Sequence, residues 1–97
     1  MLHTINKSPF SSKSLELFLQ FTVDKEPLLF YEDGVYAAQG GTKYESEILE
    51  LIKTNPVYAL QADIKARAIK NLVPGVKVID YEGFVDLVAE HKVHNWL

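Results

Sequence analysis

Leu28-Leu29-Phe30-Tyr31 is a run of four apolar residues directly after Pro27. A strand with one wet face alternates apolar and polar side chains. An unbroken run marks a strand covered on both faces, as in a parallel sheet between helices. Working outward, Leu2–Ile5 reads as a short opening strand, Val57-Tyr58-Ala59-Leu60 as a third and Val76-Lys77-Val78-Ile79 as a fourth. Pro27, Pro56 and Gly75 stand at strand entrances, where a missing donor or a bend does least harm.

Helical patterns fill the intervals. Ser12–Val23 is the first. Thr42-Lys43-Tyr44-Glu45 has the form of a capping box and opens a second helix to about Thr54, closed by Asn55-Pro56. Asp63–Leu72 is a third, ended by Pro74-Gly75. Asp80 caps a fourth that runs to about His91. Strand and helix alternating four times predict a three-layer α/β/α fold with a parallel sheet of about four strands in the order 3-2-1-4. His3 and Thr4 are polar for a central strand. Either both find hydrogen-bond partners, or that strand lies near an edge or an interface.

The chain has 97 residues, 47% hydrophobic and 24% charged, and a formal net charge of −3. That is one ordinary globular domain, spanning 1–97, without the net basic surface of a dedicated nucleic-acid binder. No secretory leader pattern and no membrane-spanning run is legible, so the expectation is a cytoplasmic protein with no membrane contact.

Cysteine is absent. This removes disulfides, thiolate metal sites and thiol nucleophiles. No G-x-S-x-G elbow is present, and Ser8, Ser11, Ser12 and Ser14 suit the capping of the first helix. His91 and His94, separated by two residues, could hold a metal only if acidic residues joined them; the simpler reading puts His91 at the border of the core and His94 in a solvated tail. Gln39-Gly40-Gly41-Thr42 lacks phosphate-loop spacing, and Glu32-Asp33-Gly34 lacks the further acid and the lysine of a phosphotransfer site. Hence no catalytic residue, metal or cofactor is assigned. The basic stretch Lys65, Arg67, Lys70 reads as a solvated helix face or, less simply, as an RNA contact.

Helical geometry separates the faces of the helices, at about 100° per residue. Phe84, Leu87, Val88 and His91 form one stripe of the last helix, predicted to be its buried face. In the first helix Leu15, Phe18, Leu19 and Val23 can cover the sheet. Leu17 and Phe21 point away, either as isolated surface residues or as a protein contact. Trp96 is an exposed aromatic unless the chain folds back or meets a partner.

Several segments together resemble the TusB/DsrH family. The opening Leu2-His3-Thr4 with Ser8-Pro9 is similar to its L-H-T-x-x-x-S-P start. Asp33-Gly34-Val35-Tyr36-Ala37-Ala38 resembles its D-G-V-x-A-A segment. Val57-Tyr58-Ala59-Leu60 with Asp63 and Ala66-Arg67 resembles V-Y-A-L-x-x-D-x-x-A-R. Ile79-Asp80-Tyr81 with Phe84-Val85 resembles I-D-Y-x-x-F-V, and Trp96 stands where the family often has a near-terminal Trp.

The resemblance implies a DsrE-like fold and a non-catalytic place in a sulfur-relay complex. The implied partners are two related DsrE-like subunits of the TusC/TusD or DsrF/DsrE type, in a hetero-hexamer. A persulfide carrier protein is a further partner, and tRNA is met only indirectly. In the Tus pathway the sulfur ends in 2-thiouridine at the tRNA wobble position; in the Dsr pathway the related assembly serves sulfur oxidation. Some DsrH members carry a Cys in the first helix, where this chain has Phe18. Without a thiol it cannot carry a persulfide, so the resemblance implies a supporting role. Leu17, Phe18, Phe21 and Trp96 are then candidates for partner contact, and Asn6, Lys7, Ser8, Asp33 and Gly34 for the loops that shape the site. A different function, small-ligand or nucleotide binding, would use Asn6, Lys7, Asp33 and Gly34 as a crevice after the first two strands.

Overall fold

The computed structural model describes residues 1–97. Its elements follow in the order β1 (Leu2–Ile5), α1 (Ser14–Phe21), β2 (Leu28–Phe30), a 3-10 helix (Glu32–Ala38), α2 (Glu45–Ile52), β3 (Val57–Leu60), α3 (Gln61–Ala66), β4 (Lys77–Ile79), α4 (Tyr81–Glu90) and β5 (Val93–Trp96). Every strand pairing is parallel. The α/β class with helices on both faces of a parallel sheet is the one the sequence predicts.

Two expectations need correction. The sheet has five strands rather than about four, in the order β4-β3-β2-β1-β5. The fourth strand pairs with β3, and the place beside β1 belongs to Val93–Trp96, a segment for which the sequence predicts no strand. Two polar residues in four hide the apolar signal of that last strand.

The order explains the layers. The steps from β1 to β4 all run in one direction, so right-handed crossovers place their helices on one face. The step from β4 back to β5 runs the other way and puts α4 on the opposite face. Phe18 of α1 accordingly meets His3 and Trp96 on one side, whereas Phe84 of α4 meets Tyr31 on the other.

The core lies on the α1 side. Ile5, Leu28, Phe30, Val57 and Ala59 of the sheet are buried against Leu15, Phe18, Ile48 and Leu51 of the helices. The predicted buried face of the last helix is only partly covered: Phe84, Leu87 and His91 are half-buried, Val88 is exposed and no residue of α4 is fully buried. α4 is the one helix on its face of the sheet, so no neighbouring helix covers its flanks.

Local signals act where expected, with shifts of register. Asp80 caps α4 by accepting the Gly83 N–H at 2.9 Å. Ser8 and Ser12 hydroxyls accept the N–H groups of Phe10 and Ser14 in the turns entering α1. Thr42 accepts from Tyr44 N–H, but Glu45 reaches back to Gly41 rather than to Thr42, so α2 begins later than the capping box predicts. Asn55 does more than close α2. Its buried side-chain amide donates to the carbonyls of Val23 and Glu26 at 2.8 and 2.9 Å, tying the α1–β2 loop to the α2–β3 loop.

Candidate functional site

Open parallel sheets present their functional loops at the carboxyl ends of their strands. Here Asn6, Lys7 and Ser8 leave β1, and Glu32 and Asp33 open the 3-10 helix after β2. With Arg67 they line a polar cleft of about 380 Å³ whose lining includes no apolar side chain. Four of the five predicted loop residues (Asn6, Lys7, Ser8 and Asp33) therefore come together. Gly34 lies behind them: a Cβ there would sit 2.0 Å from the Ile5 carbonyl oxygen, so only glycine lets the 3-10 helix approach β1 so closely.

Asp63 of α3 and Arg67 at its C-terminal cap organise the cleft, although neither is among the loop residues the sequence predicts. Arg67 Nε donates to Asp33 Oδ1 at 2.9 Å, and a terminal guanidinium nitrogen lies 3.5 Å from Asp63 Oδ1. Asp63 Oδ2 accepts the Glu32 N–H at 2.8 Å, and Glu32 accepts from Asn6 Nδ2 at 3.2 Å. This chain of bonds holds Glu32 in the left-handed region, at φ 48°. The side-chain Oδ1 of Asn6 is buried with no donor. The hydrogen bond to Asp33 raises the pKa of Arg67. The Asp63–Arg67 i,i+4 pair was the available signal; the sequence shows the pair but not that it turns inward over the loops.

The cleft has no thiol, and the charge of Arg67 is committed to two carboxylates. Lys7 forms no ion pair. Nowhere in the structure do three His, Asp or Glu side chains converge as a metal ion requires. The arrangement fixes the loops beyond β1 and β2 in one shape, beside the hydroxyls of Ser8, Ser11 and Ser12.

At the other side of β1, the polar residues of the opening strand are satisfied by β5. His3 aligns with His94 and Ile5 with Trp96. Thr4 donates to Asn95 Oδ1 at 2.9 Å, and Trp96 Nε1 donates to His3 Nδ1 at 3.0 Å. His3 Nε2 lies 2.9 Å from Glu26 Oε1. Of the two alternatives for His3 and Thr4, the structure has the first: both find partners, in a strand flanked by β2 and the edge strand β5.

The candidate contact residues separate. Leu17 is 43% and Phe21 65% exposed, while Phe18 is fully buried. Phe18 is therefore a core residue and not a surface contact, because its ring is enclosed by His3 and Trp96 at centroid distances of 5.1 and 5.8 Å. Trp96 folds back too: it is partly buried, packed against the core as part of β5.

Comparison with known proteins agrees with this arrangement. A family profile described as "DsrH like protein" matches residues 7–94. The chain belongs to the DsrH-like family. Among relatives, the protein TusB of Escherichia coli K12 is 36% identical over 94 residues, 94% of each chain. TusB of Serratia proteamaculans is 35% identical over 95 residues, 95% of each. Two solved structures share the fold: the ychN protein of E. coli, with a TM-score of 0.79 at 19% identity over 97% of each chain, and a protein of unknown function from Methanobacterium thermoautotrophicum, with a TM-score of 0.72 at 16% identity over 97% of this chain and 96% of that one. As a DsrH-like protein, the chain carries no helix long and apolar enough to cross a membrane.

Proposed function

We propose that this chain is a non-catalytic subunit of a cytoplasmic sulfur-relay complex that passes persulfide sulfur toward 2-thiolation of the tRNA wobble uridine. The observation that carries this is near-full-length similarity to TusB proteins in a chain with no cysteine. A persulfide forms on a thiolate. The protein has none, so the sulfur-bearing residue belongs to a partner, and this chain contributes shape and contact. Its ordered loops beyond β1 and β2, cross-braced by Arg67, suit a rigid wall beside a partner's site. Leu17 and Phe21, exposed on α1 away from the core, suit a subunit contact.

The small-ligand alternative draws less support. A nucleotide cleft needs an apolar wall for the base and free donors for phosphate. This cleft has no apolar lining, and of its two cations Arg67 is already paired, leaving Lys7 alone for a phosphate.

The test is co-expression with two related DsrE-like subunits, followed by native mass spectrometry and thiol labelling. The expected species contains all three chains, two copies of each, with label on the partners only. Recovery of this chain alone, or undiminished tRNA thiolation after its deletion, overturns the proposal.

A further inference from the structure

The α4 side of the sheet is thinly covered, and Tyr81, Val85, Val88 and Val93 are exposed on it. Between α4 and the edge strand β5 runs a groove of about 380 Å³, lined by Tyr31, Phe84, Val88 and Val93, with the hydrogen-bonded pair Thr4 and Asn95. From Val88 the apolar surface continues onto the outer side of α4 through Tyr81 and Val85, which are 63% and 60% exposed. Helical spacing places Tyr81, Val85 and Ala89 in one row and Glu82, Asp86 and Glu90 in the next. The helix itself has no basic residue. An apolar stripe beside a row of one charge is a directional signal, because complementary potentials select the partner and opposed like charges exclude it.

We infer that the α4–β5 groove is a docking surface for a protein partner presenting an apolar segment flanked by lysine or arginine, distinct from the contact proposed on α1. A second copy of this chain does not meet that description at this face. Two-fold pairing sets a patch against itself, which here brings the acidic row of α4 near its own copy. A different chain with basic flanks gains where the copy loses. The open edge of β5 borders the groove, so the same partner can reach unpaired backbone groups there. The identity of the partner as a related subunit rests on the proposed function; the chemistry of the surface does not.

The experiment uses the full chain co-expressed with the two related subunits. Binding is measured for the unaltered chain, for Tyr81→Glu/Val85→Glu and for Asp86→Lys/Glu90→Lys, each checked for an unchanged melting temperature. All four positions are exposed, so the fold tolerates the changes. At least tenfold weaker assembly for both variants is expected, with loss of salt sensitivity in the second. Assembly of the unaltered chain with both variants binding equally well overturns the groove alone and leaves the proposed function standing. Failure of the unaltered chain to assemble overturns both. A dimer of the isolated chain that Val85→Glu dissolves assigns the groove to a second copy and also overturns the inference.

Discussion

The indole N–H of Trp96 donates to Nδ1 of His3 across the β1–β5 pair, at 3.0 Å. That bond fixes the histidine tautomer. Nδ1 accepts, so the ring hydrogen sits on Nε2 and is directed at Glu26 Oε1, 2.9 Å away. One side chain from the last strand thereby orients a buried residue of the first, and the pair closes over Phe18.

Trp96→Phe keeps a ring against Phe18 and removes the donor. His3 Nδ1 is then left unpaired in a buried strand, at a cost of about 1–2 kcal/mol. Thermal unfolding should show a fall of roughly 4–8 °C per kcal/mol for a chain of this size. Unchanged melting means the bond does not hold β5.

Glu26 is held below the ordinary carboxylate range first by the hydrogen bond from His3 and then by the ammonium group of Met1. Its pKa is lower folded than unfolded, so the unfolded state takes up the proton first on acidification. The stabilisation is complete above the ordinary carboxylate value of about 4.3. It is lost as pH falls through the folded value. Glu26→Gln should lower stability at about pH 7 and flatten the difference between about pH 7 and about pH 3. Urea midpoints at the two values check this, and an identical acid slope in the variant removes Glu26 from the account.

Gly34→Ala forces a methyl group onto the Ile5 carbonyl. Neither backbone can yield without moving β1 or the 3-10 helix, so the loss is about 3 kcal/mol or more. A variant with native-like melting shows that the two elements separate easily.

Arg67→Ala removes the brace between Asp33 and Asp63. Asp33 is largely exposed, so the stability change is small, about 1 kcal/mol or less. The larger effect falls on order in residues 31–38, which should exchange amide hydrogens faster while the sheet does not. Equal exchange in both regions contradicts the bracing role.

Leu17→Glu with Phe21→Lys alters two exposed positions of α1. The fold should survive within about 0.5 kcal/mol, while assembly with related subunits weakens by at least tenfold. Assembly at full affinity excludes α1 as the contact.

The apolar runs Leu28–Tyr31 and Val57–Leu60 were legible as buried parallel strands because continuous hydrophobicity needs no partner to be recognised. Asp80 was legible as a cap because a cap is decided by its nearest neighbours. Loop residues Asn6, Lys7, Ser8 and Asp33 were legible because strand ends place them. Val93–Trp96 was not, since His94 and Asn95 look solvated until Thr4 and His3 stand beside β5. Phe18 and Leu17 are adjacent apolar residues, and only the docking of α1 on the sheet decides that one is core and the other surface. Arg67 enters the cleft only because α3 folds back over the loops after β1 and β2. The sequence by itself determined what depends on periodicity, local hydrogen bonds and the absence of sulfur nucleophiles. Tertiary structure decided strand order, the place of the chain's last strand and the uncovered side of the sheet, because these depend on contacts between residues far apart in the chain.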